Sequence, residues 1–279
     1  MDKCAQLHSI DKPGDNNSIA IPVQFCDLGG YAQDHIGFLQ EKGGLMFGAL
    51  LTAPDGTPWI MPNSTPLCLR ETRVITVSGT LPRTDIDLGI PTSTRCLVFT
   101  RWVEKTRYGL PDVFQGSGNG KWSLVIDGSP HDEKLKIYVF TDEEQRPPIG
   151  EWGVCVWGEN GKCILHHLSK ALAIKGVMKE FPSTTPPHTY FNYAETIRGD
   201  VAVMATIAGY GEYIINVGGP HGGQTLTIYS TWSPQAVKNG DHTIIRYYAK
   251  EYAFYGGNSP GWFSGVMGKN VYIDTSVYD

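Results

Sequence analysis

Residues 47–56 read FGALLTAPDG and residues 152–161 read WGVCVWGENG. Both write an aromatic, a glycine, an apolar run and a turn ending in Asp-Gly or Asn-Gly, 105 positions apart. The register holds without a gap through the next fourteen residues, pairing Ile60 with Leu165, Ser64 with Ser169, Leu67 with Leu172, Leu69 with Ile174 and Arg70 with Lys175. Only four of the 24 aligned positions are identical. The same offset nevertheless lays CLVFT (96–100) on VAVMA (201–205), and brings WSLVI (122–126) within a few residues of TLTIY (225–229). A period held across three apolar segments is the mark of a duplicated unit.

Strand text surrounds the doubled stretch. KWSLVID (121–127) and KLKIYVF (134–140) are β-branched and aromatic runs, expected to pair as a hairpin across a longer loop. DVAVMATIAG (200–209), EYIINVG (212–218), QTLTIYSTW (224–232) and HTIIRYYAKEYAFYG (242–256) continue the pattern. Between such runs stand Asp55-Gly56, Asn119-Gly120, Asn160-Gly161 and Asn239-Gly240, dipeptides that tolerate the positive φ of tight hairpin turns. Helical text is confined to a turn or two over His167–Lys179 and to Ser233–Lys238, where a capping serine precedes proline. The class read from this is all-β: two tandem antiparallel β-sandwich-like domains related by a repeat of about 105 residues. The first domain is expected over 41–146 and the second over 147–279, after the breaker EEQRPPIG (143–150). Residues 1–40 read as an N-terminal arm whose IAIPVQFC (19–26) could pair with a domain or with a neighbouring subunit.

The totals exclude several classes. With 279 residues, 41% hydrophobic and 18% charged, the chain can bury a core and is too apolar to be disordered. A net charge of −5 without a basic run argues against nucleic-acid binding, which needs a cationic footprint. No stretch approaches the roughly 20 apolar residues of a membrane span, and the N-terminus lacks a signal-peptide core. The expectation is a protein made soluble in a cytoplasm. The six scattered cysteines read as free thiols, buried for the most part, without metal-ligand spacing.

No catalytic constellation emerges. Cys26, Asp27 and His35 are the only neighbourhood that could suggest a thiol nucleophile, and nothing in their spacing sets an imidazole against the sulfur. His166-His167 on a strand would face opposite sides of a sheet. GSGNGK (116–121) lacks the glycine spacing and the Ser/Thr of a phosphate loop and reads as a turn. Paired carboxylates for glycoside cleavage need a separation that sequence does not give. The aromatic tract YYAKEYAFYGGNSPGWF (247–263) is the most unusual text, a core or intersubunit filler or else an exposed contact surface with Tyr255, Trp262 and Phe263 as candidate contacts.

The string Gly48, Asp55-Gly56, Trp59, Pro62, Ser64-Thr65-Pro66-Leu67 and Leu69 resembles a motif of small β-rich proteins of tailed-bacteriophage tails, of the tail-tip or fibre-associated kind. The second copy repeats it with Gly153, Gly161, Ser169 and Leu172, but has Ile164 and Ala171 where the first has Trp59 and Pro66. The resemblance implies a virion structural protein of the tail, assembling by protein–protein contacts with other tail proteins and copies of itself, and contributing to host attachment. It carries no catalytic residue, no metal and no cofactor. The alternative reading is a receptor- or glycan-binding module using the 247–263 aromatics, and the third is an enzyme degrading cell-surface polysaccharide.

Overall fold

A computed structural model describes residues 4–6, 23–26, 37–38, 49–52, 58–60, 65–77, 83–104, 110–128, 132–147, 154–157, 162–179, 194–216, 225–255, 261–266 and 269–279. Strand dominates the described residues and none of them is helical, so the all-β class holds. In chain order the strands are β1 (Cys4–Gln6), β2 (Val23–Cys26), β3 (Gly37–Phe38), β4 (Ala49–Thr52), β5 (Pro58–Ile60), β6 (Cys68–Val77) and β7 (Arg83–Pro91). There follow β8 (Cys96–Trp102), β9 (Asp112–Gly118), β10 (Lys121–Asp127), β11 (Glu133–Thr141), β12 (Val154–Trp157), β13 (Cys163–His166) and β14 (Ile174–Val177). The last are β15 (Ala194–Arg198), β16 (Val201–Met204), β17 (Gly209–Asn216), β18 (Thr225–Asn239), β19 (His242–Tyr255), β20 (Gly261–Val266) and β21 (Val271–Asp274).

The chain divides into two compact units that are not consecutive in sequence. One comprises 1–68 with 141–172, the other 69–140 with 173–279, a division that differs from the expected 41–146 and 147–279. The smaller unit holds a four-stranded sheet ordered β1-β2-β12-β13 and a three-stranded sheet β3-β4-β5. Its two hairpins, β4–β5 and β12–β13, are the two copies of the doubled stretch. β4 and β12 have the same bounds once the 105-residue offset is applied. Here Leu172 N–H donates to the carbonyl of Leu67 at 2.7 Å, and Cys68 bridges Ala171 in antiparallel fashion. Leu67 and Leu172 are each other's counterparts at that offset.

The larger unit is sandwich-like. A sheet ordered β7-β10-β9 lies over a curled eleven-stranded sheet whose path runs β14-β21-β16-β8-β18-β17-β20, with β11 pairing β8 and β6, and β19 joining β15 to β18. One core cluster draws on residues from Val77 to Val139, joined by Ala205 and Val237. A second runs from Met178 to Tyr247 and includes Val201, Trp232 and Ile245. β8 is buried on both sides: Val98 faces the first core, while Phe99 meets Phe140 edge-on at 5.7 Å between ring centroids. β16 lies antiparallel beside β8, pairing Met204 with Phe99 and Val203 with Thr100, and Ala205 N–H donates to the Val98 carbonyl at 2.8 Å. Met204 and Phe99 are again counterparts at the 105 offset.

Turn chemistry fixes the hairpins where it was expected. Asn119 (φ 53) and Gly120 (φ 73) both adopt positive φ and close β9 onto β10, which is why the dipeptide is Asn-Gly. Gly240 (φ 67) does the same between β18 and β19. Asp55-Gly56 and the Asn160-Gly161 turn lie outside the described residues. Three local expectations give way to longer-range pairing. The strand 121–127 pairs with β7 and β9, not with 134–140, which becomes β11 between β6 and β8. Ser233–Lys238 continues β18 instead of starting a helix: its register with β19 is unbroken, and Pro234 falls beyond the end of the β17 ladder, where its missing N–H is tolerated. The 167–179 stretch makes one turn and then the edge strand β14, so tertiary pairing overrides its helical spacing.

Candidate functional site: a polar and aromatic sheet face

β18 carries two different faces. Trp232 and Ala236 point into the second core with Ile245 and Tyr247 of β19. The alternate positions are Thr227, Tyr229, Thr231, Ser233 and Gln235, and their register partners on β19 include Lys250, Tyr248 and Arg246. On β17 the partners of Thr231 and Tyr229 are Tyr210 and Glu212. Period-2 alternation thus places hydroxyls, aromatics and charges of three strands on one surface.

The inner end of this surface is closed by β9. Asp112, 3% exposed, accepts hydrogen bonds from Ser233 Oγ at 2.7 Å and Thr231 Oγ1 at 3.0 Å. Gln235 donates from Nε2 to the carbonyls of Leu110 (3.4 Å) and Pro111 (3.2 Å) and accepts from Arg246 Nε at Oε1. Asp127 stands opposite Asp112 in the β9–β10 register and takes Lys250 Nζ at 2.6 Å. Burial pushes the Asp112 carboxyl up to about 6 despite its two hydroxyl donors and the Lys250 charge, with Asp127 adding repulsion. A carboxylate this enclosed cannot reach a substrate; its chemistry is that of a latch between β9 and β18.

The outer end is open. Tyr210 is 42% and Tyr229 40% exposed. The Tyr229 phenol is hydrogen-bonded to the Glu212 carboxylate, which raises it above the usual phenol range. A second ionic cluster joins the C-terminal residues to β8 and β11. Arg101 Nη1 lies 2.8 Å from Asp200, off the donor line and so ionic in character, while Lys136 reaches Asp279 at 2.8 Å and Tyr138 donates to Asp279 at 2.7 Å. Burial alone would raise the Asp279 carboxyl, but Lys136, Tyr138 and Arg101 outweigh it and hold it low. These groups neutralise one another, so the cluster is a clamp.

Of the residues singled out in the sequence, Tyr255 ends β19 opposite Leu226, and Trp262 and Phe263 lie in β20 opposite Tyr213 and Glu212. Their side chains are outside the described residues. By register only Phe263 shares the row of Glu212 and Tyr229; the other two occupy positions of the opposite parity. Gly48, Gly56, Ser64, Gly153 and Gly161 also fall outside, as do Asp27 and His35. Ser169 closes a turn: its N–H donates to the His166 carbonyl and its Oγ accepts the His166 N–H. Because the strand ends at His166, His167 turns back and the two rings stack edge-on at 6.2 Å instead of facing opposite sides. Among the described residues no three His, Cys, Asp or Glu side chains group to hold a metal, and no helix is long and apolar enough to cross a membrane.

Cys68, Cys96 and Cys163 are buried free thiols and Cys155 is half-buried. Burial pushes Cys68 and Cys163 up to about 11, Cys163 further by its contact with Cys155. At pH 8 the reactive thiolate of each is then on the order of one part in a thousand. Alkylation followed by peptide mass mapping should leave Cys68 and Cys163 unmodified until the protein is unfolded. Labelling of either within minutes in native buffer would show that the hairpins open.

Sequence reasoning passed over Asp112, Tyr210, Glu212, Tyr229 and Thr231. The alternation Thr-x-Tyr-x-Thr over 227–231 was a readable signal for a polar face, but its partners on β17 were not. No family model, curated protein or solved structure matches this chain.

Proposed function

We propose that the protein is a structural component of a bacteriophage tail, a duplicated β unit that works by presenting sheet surfaces to copies of itself and to other tail proteins. The observation that carries the reading is the doubled hairpin. The segment that bears the resemblance to tail proteins folds twice as an antiparallel pair, β4–β5 and β12–β13, with β4 and β12 matching in bounds and β13 one residue longer than β5. Two contacts between counterpart residues, Leu67 with Leu172 and Phe99 with Met204, support a duplication whose halves meet around local two-folds. The division of the larger unit into an earlier and a later core supports it further. Each half then supplies a hairpin to the smaller unit and a core to the larger one.

Assembly has surfaces to use. β14 is a terminal strand of the large sheet and exposes Ile174 and Val177; β6, paired through β11, exposes Val74. Apolar side chains on sheet edges are the natural contacts of a protein that joins others. Light scattering of the purified protein, alone and with phage particles from the same source, tests the role: a closed oligomer or uptake onto particles is expected. A stable monomer that particles ignore would sink it.

A further inference from the structure

We propose that the open end of the β17–β18 face, built by Tyr210, Glu212, Tyr229 and Thr231, is a binding site for a neutral saccharide. This goes beyond the tail role and does not depend on it.

The platform comes from register. Tyr210 pairs with Thr231 and Glu212 with Tyr229, so the two tyrosines are diagonal neighbours on one face, roughly 7–8 Å apart at the backbone. Both are exposed, on a sheet whose other side carries the second core. A tyrosine ring offers an electron-rich apolar face and a polar tip, the combination that suits the C–H surface and hydroxyl rim of a sugar ring. Between the rings stand the polar groups a sugar needs. Glu212 holds the Tyr229 phenol with one of its several lone pairs and keeps capacity for vicinal hydroxyls. Thr231 gives its proton to Asp112 and so presents its oxygen as an acceptor, fixed in place by that bond.

Charge selects the ligand class. Lys250, opposite Thr231, is tied to Asp127 at 2.6 Å, so the cation beside the site is compensated. The Glu212 carboxylate repels an acidic sugar. A neutral glycan does not meet that penalty. Asp112 serves as a positioning residue, orienting Thr231 from below.

The test uses the full chain on an array of neutral and acidic oligosaccharides, followed by calorimetry with the best neutral binder. Wild type should bind neutral glycans. Tyr210→Ala and Tyr229→Ala should each weaken binding about tenfold or more, Glu212→Gln less, and Lys175→Ala, on a distant edge, not at all. Tyr210→Phe and Tyr229→Phe keep the stacking surface and should retain most of the affinity, and unchanged circular dichroism certifies the fold of each variant. No neutral glycan bound, preference for acidic glycans, or equal binding by the alanine variants would overturn the proposal. So would loss of particle uptake in those variants without glycan binding, which would make the face a protein contact. Because the array needs no particle, failure here leaves the tail reading standing, and the reverse is also true.

Discussion

Trp102→Ala should lower the unfolding free energy by about 3–5 kcal/mol, seen as a shift of the urea midpoint with the slope unchanged. Trp102 is 2% exposed, among the largest fully buried side chains, and packs in the first core with Val98, Leu135 and Val237. It also marks the one parallel contact of β18 with β8, opposite Val237. Removing the indole deletes its burial energy and leaves a void, because the residues around it belong to strands held by separate ladders and cannot close in. A loss below about 1 kcal/mol would mean that the core collapses onto the gap, contrary to the packing described.

The second large effect is one of pH. Burial raises the Asp112 carboxyl to about 6 in the folded chain, above the ordinary carboxylate value of about 4. A raised acid favours folding in its protonated form, so this contribution is fully present below about pH 4 and is lost as pH rises through 6. The difference corresponds to about 3 kcal/mol, at 1.36 kcal/mol per unit. Asp112→Asn keeps the shape and removes the buried charge, with Oδ1 accepting one hydroxyl proton and Nδ2 donating to the other oxygen. The variant should therefore be more stable than wild type at pH 8 and lose that advantage by pH 4. Denaturation at the two pH values decides it; an Asn variant weaker than wild type at pH 8 would show that Lys250 compensates the carboxylate more than burial penalises it.

Local signals were legible where structure is local. Asn119-Gly120 and Gly240 announce their hairpins because a tight turn that needs positive φ admits few other residues. The runs that became β8, β10, β11 and β16 are apolar enough to read as strands directly. Pairing was not legible. Nothing within 121–127 says that its neighbours are β7 and β9, and Ser233-Pro234 imitates a helix start until the length of β19 holds it extended. The site was hidden for the same reason: Asp112 meets Thr231 and Ser233 across more than a hundred residues, and each alone is an ordinary polar residue on a strand. Tyr210 and Tyr229 stood outside the aromatic tract that attracted notice, and it is register, not composition, that brings them together.

The pairing of Phe99 with Met204 has a further consequence. On the duplication proposed above, this is a strand lying antiparallel against its own counterpart, the contact of a homodimer, whose survival ordinarily depends on how many molecules share the solution. Here both strands belong to one polypeptide, so the connecting chain sets an effective concentration that no dilution can lower. The stoichiometry of that contact is written into the covalent structure. The exposed edges at β6 and β14 are left to engage other molecules.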